Sequence, residues 1–327
     1  MTLNAIMNTA SSGLSAAQTQ LRVISDNVSN VNTPGYVRKI ADQKTLTGTG
    51  IGSGVEIARI RLATDTFLQA ASMKAGAESA RQTVRYELYD RIQSLFGDPG
   101  GDNGFFSQID SLFSAFAASG ENPTSSPSRQ DALFKTQALF DEAGRISKQI
   151  DAVRQDADAR ILSAVEKANS LLEQIEGLNL EIARASATKG DSSGAQSAQS
   201  SLLGELSKLM DVQITQRPIG GVTVRTNGGA MLAGQGVGKI SYNPTGTVTS
   251  TSAFNEIYVT EPSGQKRALL DGITSGEIKG LVELRDVDAP AAAARLAELV
   301  SHVADELNRA HTVSYTHLRA HETKANL

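Results

Sequence analysis

The residues whose types and spacing could do chemistry lie near the end of the chain. His311, His317 and His321 are three of its four histidines. His317 and His321 stand four apart, the spacing that puts two imidazoles on one helix face for a metal ion. His321-Glu322 opens like a zinc-protease motif, but Ala325 stands where the second histidine is required. His302 is alone in a helical stretch and reads as a surface or packing residue. A second candidate is Gly234-Gln235-Gly236-Val237-Gly238, whose glycines could form a phosphate loop. It lacks the spacing and the following Lys-Ser/Thr of such a loop, so turns between strands explain it better. There is no cysteine, hence no thiol nucleophile, thiolate ligand or disulfide. No serine sits in a Gly-x-Ser-x-Gly elbow with a plausible base. Acidic residues are dispersed through helices rather than paired at one site. The expectation is a non-enzyme, with no catalytic residue, no metal and no cofactor.

One other stretch has residue types at a working spacing, and the work is packing. Leu3, Met7, Ala10, Leu14, Ala17, Leu21, Ile24, Val28 and Val31 follow one another in alternating steps of four and three. That is a heptad seam, expected to lie against other helices as an assembly interface. Between the seam residues stand Thr, Ser, Asn, Gln and Gly, with only Arg22 and Asp26 charged. Asn32-Thr33-Pro34-Gly35-Tyr36 stops the run. Asn32 can fold its side chain onto the backbone. Thr33 precedes a proline and is pushed out of the helical region. Pro34 fixes φ and removes a donor, and Gly35 can take the positive φ of a reversal. Tyr36 offers a rigid ring with a polar tip. Taken alone, the pattern also fits an ordinary amphipathic first helix ending in an ordinary turn. A helix of this composition orders only in company, so neighbouring helices must cover the seam.

The stretch from Ile24 to Tyr36, with Asn27, Asn30, Asn32, Thr33, Pro34, Gly35 and Tyr36 as its signature residues, resembles the N-terminal signature of the bacterial flagellar axial proteins. That family includes rod, hook and hook-associated proteins. It usually has Ala where Val28-Ser29 stand, a mild departure. Arg59, Asp65, Phe67 and Leu68, the run Pro123 to Arg129, the region of Asn179, and Ser275-Gly276-Glu277-Ile278 through Leu284-Arg285-Asp286 resemble the hook-associated branch. The resemblance covers residues 1–311.

The remaining sequence is compatible with this. A chain of 327 residues can build two or three cores. Its net charge of −4 and pI near 5.7 argue against nucleic acid as a partner. No apolar run approaches the about 20 residues needed to span a bilayer. The first residues carry no Lys or Arg before the apolar positions, unlike a cleavable secretory signal. Aromatics are scarce at 5% and tryptophan is absent, which suits long helices.

In order, Thr45 to Gly54 reads as a polar, Gly-rich loop, and Val55 to Leu62 as a strand. Asp65 caps a helix from Thr66 to Phe96 carrying Val84, Leu88 and Ile92. A short apolar helix covers Phe105 to Ala118, and a long one runs from about Arg129 to Ala187. The long helix carries a second near-heptad stripe: Ile150, Val153, Ala157, Ile161, Ala164, Ala168, Leu171, Ile175, Leu178 and Ile182. Arg154, Asp156, Asp158, Arg160, Glu166, Lys167, Glu173 and Glu176 read as its solvated faces. Lys189 to Ser201 reads as an exposed loop and Leu202 to Met210 as a helix. Strands follow at Val212–Ile214, Val222–Val224, Ile240–Tyr242 and Ile257–Val259, with turns at Asn227-Gly228-Gly229 and Asn243-Pro244. A last helix carries Leu296, Leu299, Val303 and Leu307.

The expected fold class is mainly α: an elongated helical coiled-coil or bundle domain with an N-terminal axial helix and a small β-rich region. Its parts are 1–40 (axial helix and Asn-Thr-Pro-Gly-Tyr turn), 41–211 (extended segment and helical bundle), 212–275 (β region) and 276–311 (returning helix). Residues 312–327 fit no family register and resemble translated sequencing-adapter read-through. The expectation is a gene truncated there, without the outer region and closing helix of the family.

The resemblance implies a structural subunit at the hook–filament junction of the flagellum, secreted and extracellular. The implied partners are further copies of the chain in a ring, the hook protein, a second junction protein, an export chaperone and the type III export apparatus. Neither nucleic acid nor membrane is expected. Another axial subunit, or a non-flagellar coiled-coil adhesin or sensor ectodomain, stays open as an alternative.

Overall fold

The computed structural model describes residues 3–33, 35–48, 51–98, 100–101, 104–188 and 190–325, the backbone alone at 48, 51–53, 311 and 313–325. The chain is mainly α, 64% helical with short strands. The elements run α1 (Leu3–Ser29), β1 (Lys39–Gly48), β2 (Ile51–Leu62), α2 (Thr66–Ser94), α3 (Phe105–Glu121), α4 (Ser126–Ala187) and α5 (Ser193–Leu209). Six short strands follow: β3 (Val212–Gln216), β4 (Val222–Thr226), β5 (Met231–Ala233), β6 (Lys239–Ser241), β7 (Tyr258–Thr260) and β8 (Lys266–Ala268). A 3₁₀ turn (Leu270–Gly272), α6 (Glu277–Glu283), a π-helical turn (Leu284–Asp288) and α7 (Ala289–Ala325) complete it. Among the described residues no helix is long and apolar enough to cross a membrane.

The chain divides into two compact units, each assembled from separated segments. The first comprises Met1–Gln82, Ile161–Asn243 and Asn255–Gly280; the second comprises Thr83–Arg160, Pro244–Phe254 and Leu281–Leu327.

In the first unit β1 and β2 form one long antiparallel hairpin, from Lys39 opposite Leu62 to Gly48 opposite Ile51. This corrects the loop expected over 45–54 at 45–48 and 51–54; residues 49 and 50 lie outside the described residues. Thr and Gly dominate that run, but Thr suits a strand, and pairing accommodates the glycines, Gly54 taking a positive φ beside a register shift. Register shifts at Asp42/Gln43 and Leu46/Thr47 break the alternation that would have revealed it. On the hairpin, Arg59 Nε lies 3.1 Å and Arg61 Nε 2.9 Å from Asp42 Oδ2. The Arg59 guanidinium foremost, then that of Arg61, holds the Asp42 carboxyl below its usual range.

The second correction concerns 189–201, expected as a loop. Helix α5 begins at Ser193, where Asp191 Oδ1 accepts from the Ser193 amide at 2.9 Å. Its buried residues begin with Ser193, Ala195, Ser197 and Gln199, ahead of Leu203 and Leu206. Small side chains let this turn approach its neighbours closely, so it is buried without large apolar residues. The antiparallel sheets β3-β4-β5 and β6-β7-β8 complete the unit.

In α4 the expected stripe is inside. Ile150, Val153, Ala157, Ile161, Ala164, Ala168, Leu171, Ile175 and Ile182 are buried, and Leu178 is half-buried. The charges expected to clothe its other faces are not all solvated. In the second unit Arg154 and Asp158 are buried, as is Arg285. Arg285 Nη1 donates to Asp158 Oδ1 at 2.7 Å, and the Thr245 amide donates to Asp158 Oδ2 at 2.7 Å. Arg154 donates to the carbonyls of Arg285 (3.1 Å) and Thr249 (2.8 Å). The Phe254 ring lies 4.0 Å from the Arg285 guanidinium carbon. These partners lie far away in sequence, so helical spacing could not reveal them. Val84, Leu88 and Ile92 of α2 are buried as their periodicity predicts.

Removing one partner of a buried pair strands the other in low dielectric. Arg285→Met is therefore expected to cost about 3–5 kcal/mol of unfolding free energy. Urea denaturation measures it, and the double variant Asp158→Asn, Arg285→Met should recover part of the loss.

Candidate assembly interface

Helix α1 has two faces of opposite character. Ser12, Ala16, Val23 and Asn27, spaced four, seven and four apart, form the face turned toward the hairpin. Ala16 and Val23 are its buried residues. Ser12 Oγ accepts from the Val55 amide at 3.2 Å, and Gly54, with φ of +119°, leaves space that a Cβ would fill against that same hydroxyl. The seam lies on the other face. Leu3, Met7, Leu14, Leu21, Ile24, Val28 and Val31 are 56–74% exposed, and Ala10 and Ala17 are exposed with them. The helix thus turns Ser12, Ala16, Val23 and Asn27 inward and presents most of its large apolar residues to solvent, the reverse of an ordinary surface helix.

The signature residues join α1 to the hairpin. Asn27 Nδ2 donates to the Lys39 carbonyl at 2.9 Å, and the Lys39 amide donates to Asn27 Oδ1 at 2.8 Å. Tyr36 Oη donates to the same Oδ1 at 3.0 Å. Lys39 Nζ lies 3.0 Å from Asp26 Oδ2. Asn30 Nδ2 donates to the Asp26 carbonyl at 2.9 Å, and Thr33 Oγ1 donates to Asn30 Oδ1 at 3.3 Å. Among the described residues it is Asn30, not Asn32, whose side chain bonds across the turn. The Tyr36 amide closes a turn onto the Thr33 carbonyl at 3.1 Å, with Gly35 at φ +79°. Pro34 lies outside the described residues. A Cβ on Gly35 would stand 2.9 Å from Ser201 Oγ of α5. Thr33, Gly35 and Tyr36 also border an open groove of about 630 Å³ shared with Gly177 and Leu178 of α4 and Ala198 and Leu202 of α5.

The other sequence candidates are placed as follows. The side chains of His311, His317 and His321 lie outside the described residues. His302 is exposed, 3.9 Å from Glu298. Among the described residues no group of three His, Cys, Asp or Glu side chains could hold a metal. The glycine-rich loop does cradle an anion, but one belonging to the chain itself. The amides of Gly234 and Gly236 donate to the Glu176 carboxylate at 2.8 and 3.0 Å. Glu176, expected on a solvated face, is thus half-buried under that loop. Gly190-Asp191-Ser192-Ser193-Gly194 has the lettering of a nucleophile elbow, but Ser192 Oγ accepts from the Gln196 amide group at 2.8 Å, which is no base.

This geometry can be set against known proteins. The family model described as the flagellar hook-associated protein FlgK helical domain matches residues 89–320. The chain belongs to the FlgK family. The family match runs past residue 311, the last residue of the sequence resemblance. A second model, for flagella basal body rod proteins, matches residues 7–36, the seam and signature. Among FlgK relatives, flagellar hook-associated protein 1 of Salmonella typhimurium is 26% identical over 326 residues, covering 96% of this chain and 57% of the relative. The protein of that name from Escherichia coli K12 is 22% identical over 321 residues, covering 96% and 58%. The chain therefore spans somewhat over half the length of these relatives. The structure of the flagellar hook junction protein FlgK from Burkholderia pseudomallei superposes with a TM-score of 0.54 at 22% identity, over 67% of this chain and 38% of that one, and so shares its fold.

Lys39, Ser12 and Gly54, which anchor α1 to the hairpin, are not among the residues expected from the sequence. The available signal was the complementary stripe 12, 16, 23, 27, whose small and polar residues carry little apolar weight.

The chain contains no cysteine, so one introduced thiol reports its own exposure. Leu14→Cys is expected to react with a maleimide at nearly the rate of a free thiol, and Val23→Cys at least about tenfold more slowly. Comparable rates would refute the assignment of the two faces.

Proposed function

We propose that this chain is a structural subunit of the bacterial flagellum that forms the junction between hook and filament. The observation that carries the reading is the uncovered apolar seam from Leu3 to Val31, followed directly by the turn that ties it to the hairpin. Large contiguous apolar surfaces on soluble proteins mark sites of association, and a seam at heptad spacing fits another helix. Residues 1–40 then serve as the axial segment, coiling against axial neighbours and against the C-terminal helix that closes the chain in the family.

Family membership supports a structural rather than an enzymatic role and a place in the external flagellum. The finer assignments belong to the proposal. They are a ring of identical subunits, the hook protein on one side, a second junction protein on the other, and export by the type III apparatus with a chaperone. Surfaces of different kinds on one subunit close a ring when the rotation between copies closes, so no two-fold axis is needed. The rod-protein match covers only the segment shared among axial proteins, while the match over 89–320 favours the junction reading over a rod or hook subunit.

Leu14→Asp and Leu21→Asp place a carboxylate in the seam, which a covering helix would bury unpaired at a cost of several kcal/mol. In cells lacking their own copy, each variant is expected to be exported at wild-type amounts yet to support no filament growth. Filament number and swimming equal to wild type would sink the reading.

A further inference from the structure

Within the first unit, three asparagines on helices make the same unusual contact. Asn169 of α4 receives the Ile240 amide on Oδ1 and donates Nδ2 to the Ile240 carbonyl, both at 2.8 Å. Asn179 of α4 does the same to Val222, at 2.7 and 2.9 Å. Asn27 of α1 does it to Lys39, at 2.8 and 2.9 Å. In each case a carboxamide, with its donor and acceptor side by side on one plane, pairs with both backbone groups of a residue at or next to the start of a strand. It acts as a one-residue substitute for a neighbouring strand.

The two α4 contacts join strands to a helix already held by a buried stripe. The α1 contact differs because α1 buries only Ala16 and Val23 against the hairpin. Two small apolar side chains hold a helix loosely in rotation and along its axis, since apolar burial is non-directional. Hydrogen bonds are directional, and Asn27 carries three of them on one group, with Tyr36 Oη as the third partner. Lys39 is tied twice over, by its backbone to Asn27 and by its ammonium to Asp26.

We propose that Asn27 is the positioning residue of the assembly surface: it locks α1 to β1 so that helix and hairpin move as one piece and the seam faces outward at a fixed angle. A neighbour that grips the seam then moves the hairpin too. The role of the signature is internal, setting the seam's direction, while contact with other subunits belongs to the seam itself. This explains why Asn27 and Tyr36 stand off the seam. The part of the proposal that concerns assembly rests on the function proposed above; the lock itself does not.

The test is residue-resolved amide hydrogen exchange on the full chain, wild type against Asn27→Ala, with the Val222 and Ile240 amides as internal controls. Loss of the Asn27 acceptor is expected to speed exchange at Lys39 on the order of tenfold, with Val222 and Ile240 unchanged. Tyr36→Phe, which removes one donor and leaves the backbone pair, should give a smaller change at Lys39. A Lys39 amide already unprotected in wild type would overturn the lock, and so would a rise shared equally by all three amides. Filament growth is then scored in cells carrying Asn27→Ala. Export at wild-type amounts with fewer filaments supports the positioning role; filaments at wild-type number despite faster Lys39 exchange overturn it. Leu14→Asp run alongside separates the causes, since filament growth in that variant would remove the seam reading and leave the lock standing.

Discussion

The constraint on which this structure turns is that, among the described residues, only one of the two faces of α1 is covered. Its small residues lie on the hairpin, where Gly54 lets the strand approach Ser12, and its large apolar residues are left in water. Apolar area drives association without specifying direction. Hydrogen bonds specify direction at modest net free energy. The two tasks are divided between the two sides of one helix. The small face, with Ser12 and Asn27, sets the direction. The large face holds back the area that any covering partner would bury.

How much of this could be read in the sequence depended on the size of the side chains concerned. Large apolar residues at helical spacing were legible along α2 and α4. The stripe from Ile150 to Ile182 and the sequence Val84, Leu88, Ile92 stand inside, where periodicity put them, while the seam residues are exposed. Elements built from small residues were not legible. The hairpin at 45–48 and 51–54 and the start of α5 at Ser193 are rich in Thr, Gly, Ser, Ala and Gln, residues that also make loops. Their order comes from close approach and long-range pairing, as at Gly35 against Ser201 and along the register from Lys39 to Gly48. Neither depends on residues near in sequence.

Charge was misread for a related reason. On a helix surrounded by water, alternating charges are solvated, and the pattern along α4 resembles that case. Arg154, Asp158 and Glu176 instead meet groups from segments far along the chain: Arg285 and Thr249, Thr245, and Gly234. A buried charge persists only where partners neutralise it and fill its hydrogen-bonding capacity. Each such residue therefore marks a place where a distant segment must arrive. The local sequence holds one half of that information.

The scarcity of aromatic residues gives these contacts a common origin. A loop is ordinarily tied down by planting one or two large side chains in a core, and this chain has few to plant. Its loops are held by polar side chains gripping backbone. Glu176 takes the amides of Gly234 and Gly236; Asp211 takes those of Thr274 and Ser275 and the Thr274 hydroxyl at 2.7 Å; Asp158 takes that of Thr245. Asn169 and Asn179 hold strands in the same manner. Charge-assisted bonds to backbone amides are stronger than neutral ones, and a carboxylate can accept several. They require the amides to be presented in one orientation, which is why glycines with positive φ recur in two of these segments, at 234 and 236 and at 276. Asn27 applies the same device to α1. There the gripped strand begins the hairpin and the gripping helix carries the uncovered seam, so what elsewhere fastens the interior here fixes the outward face.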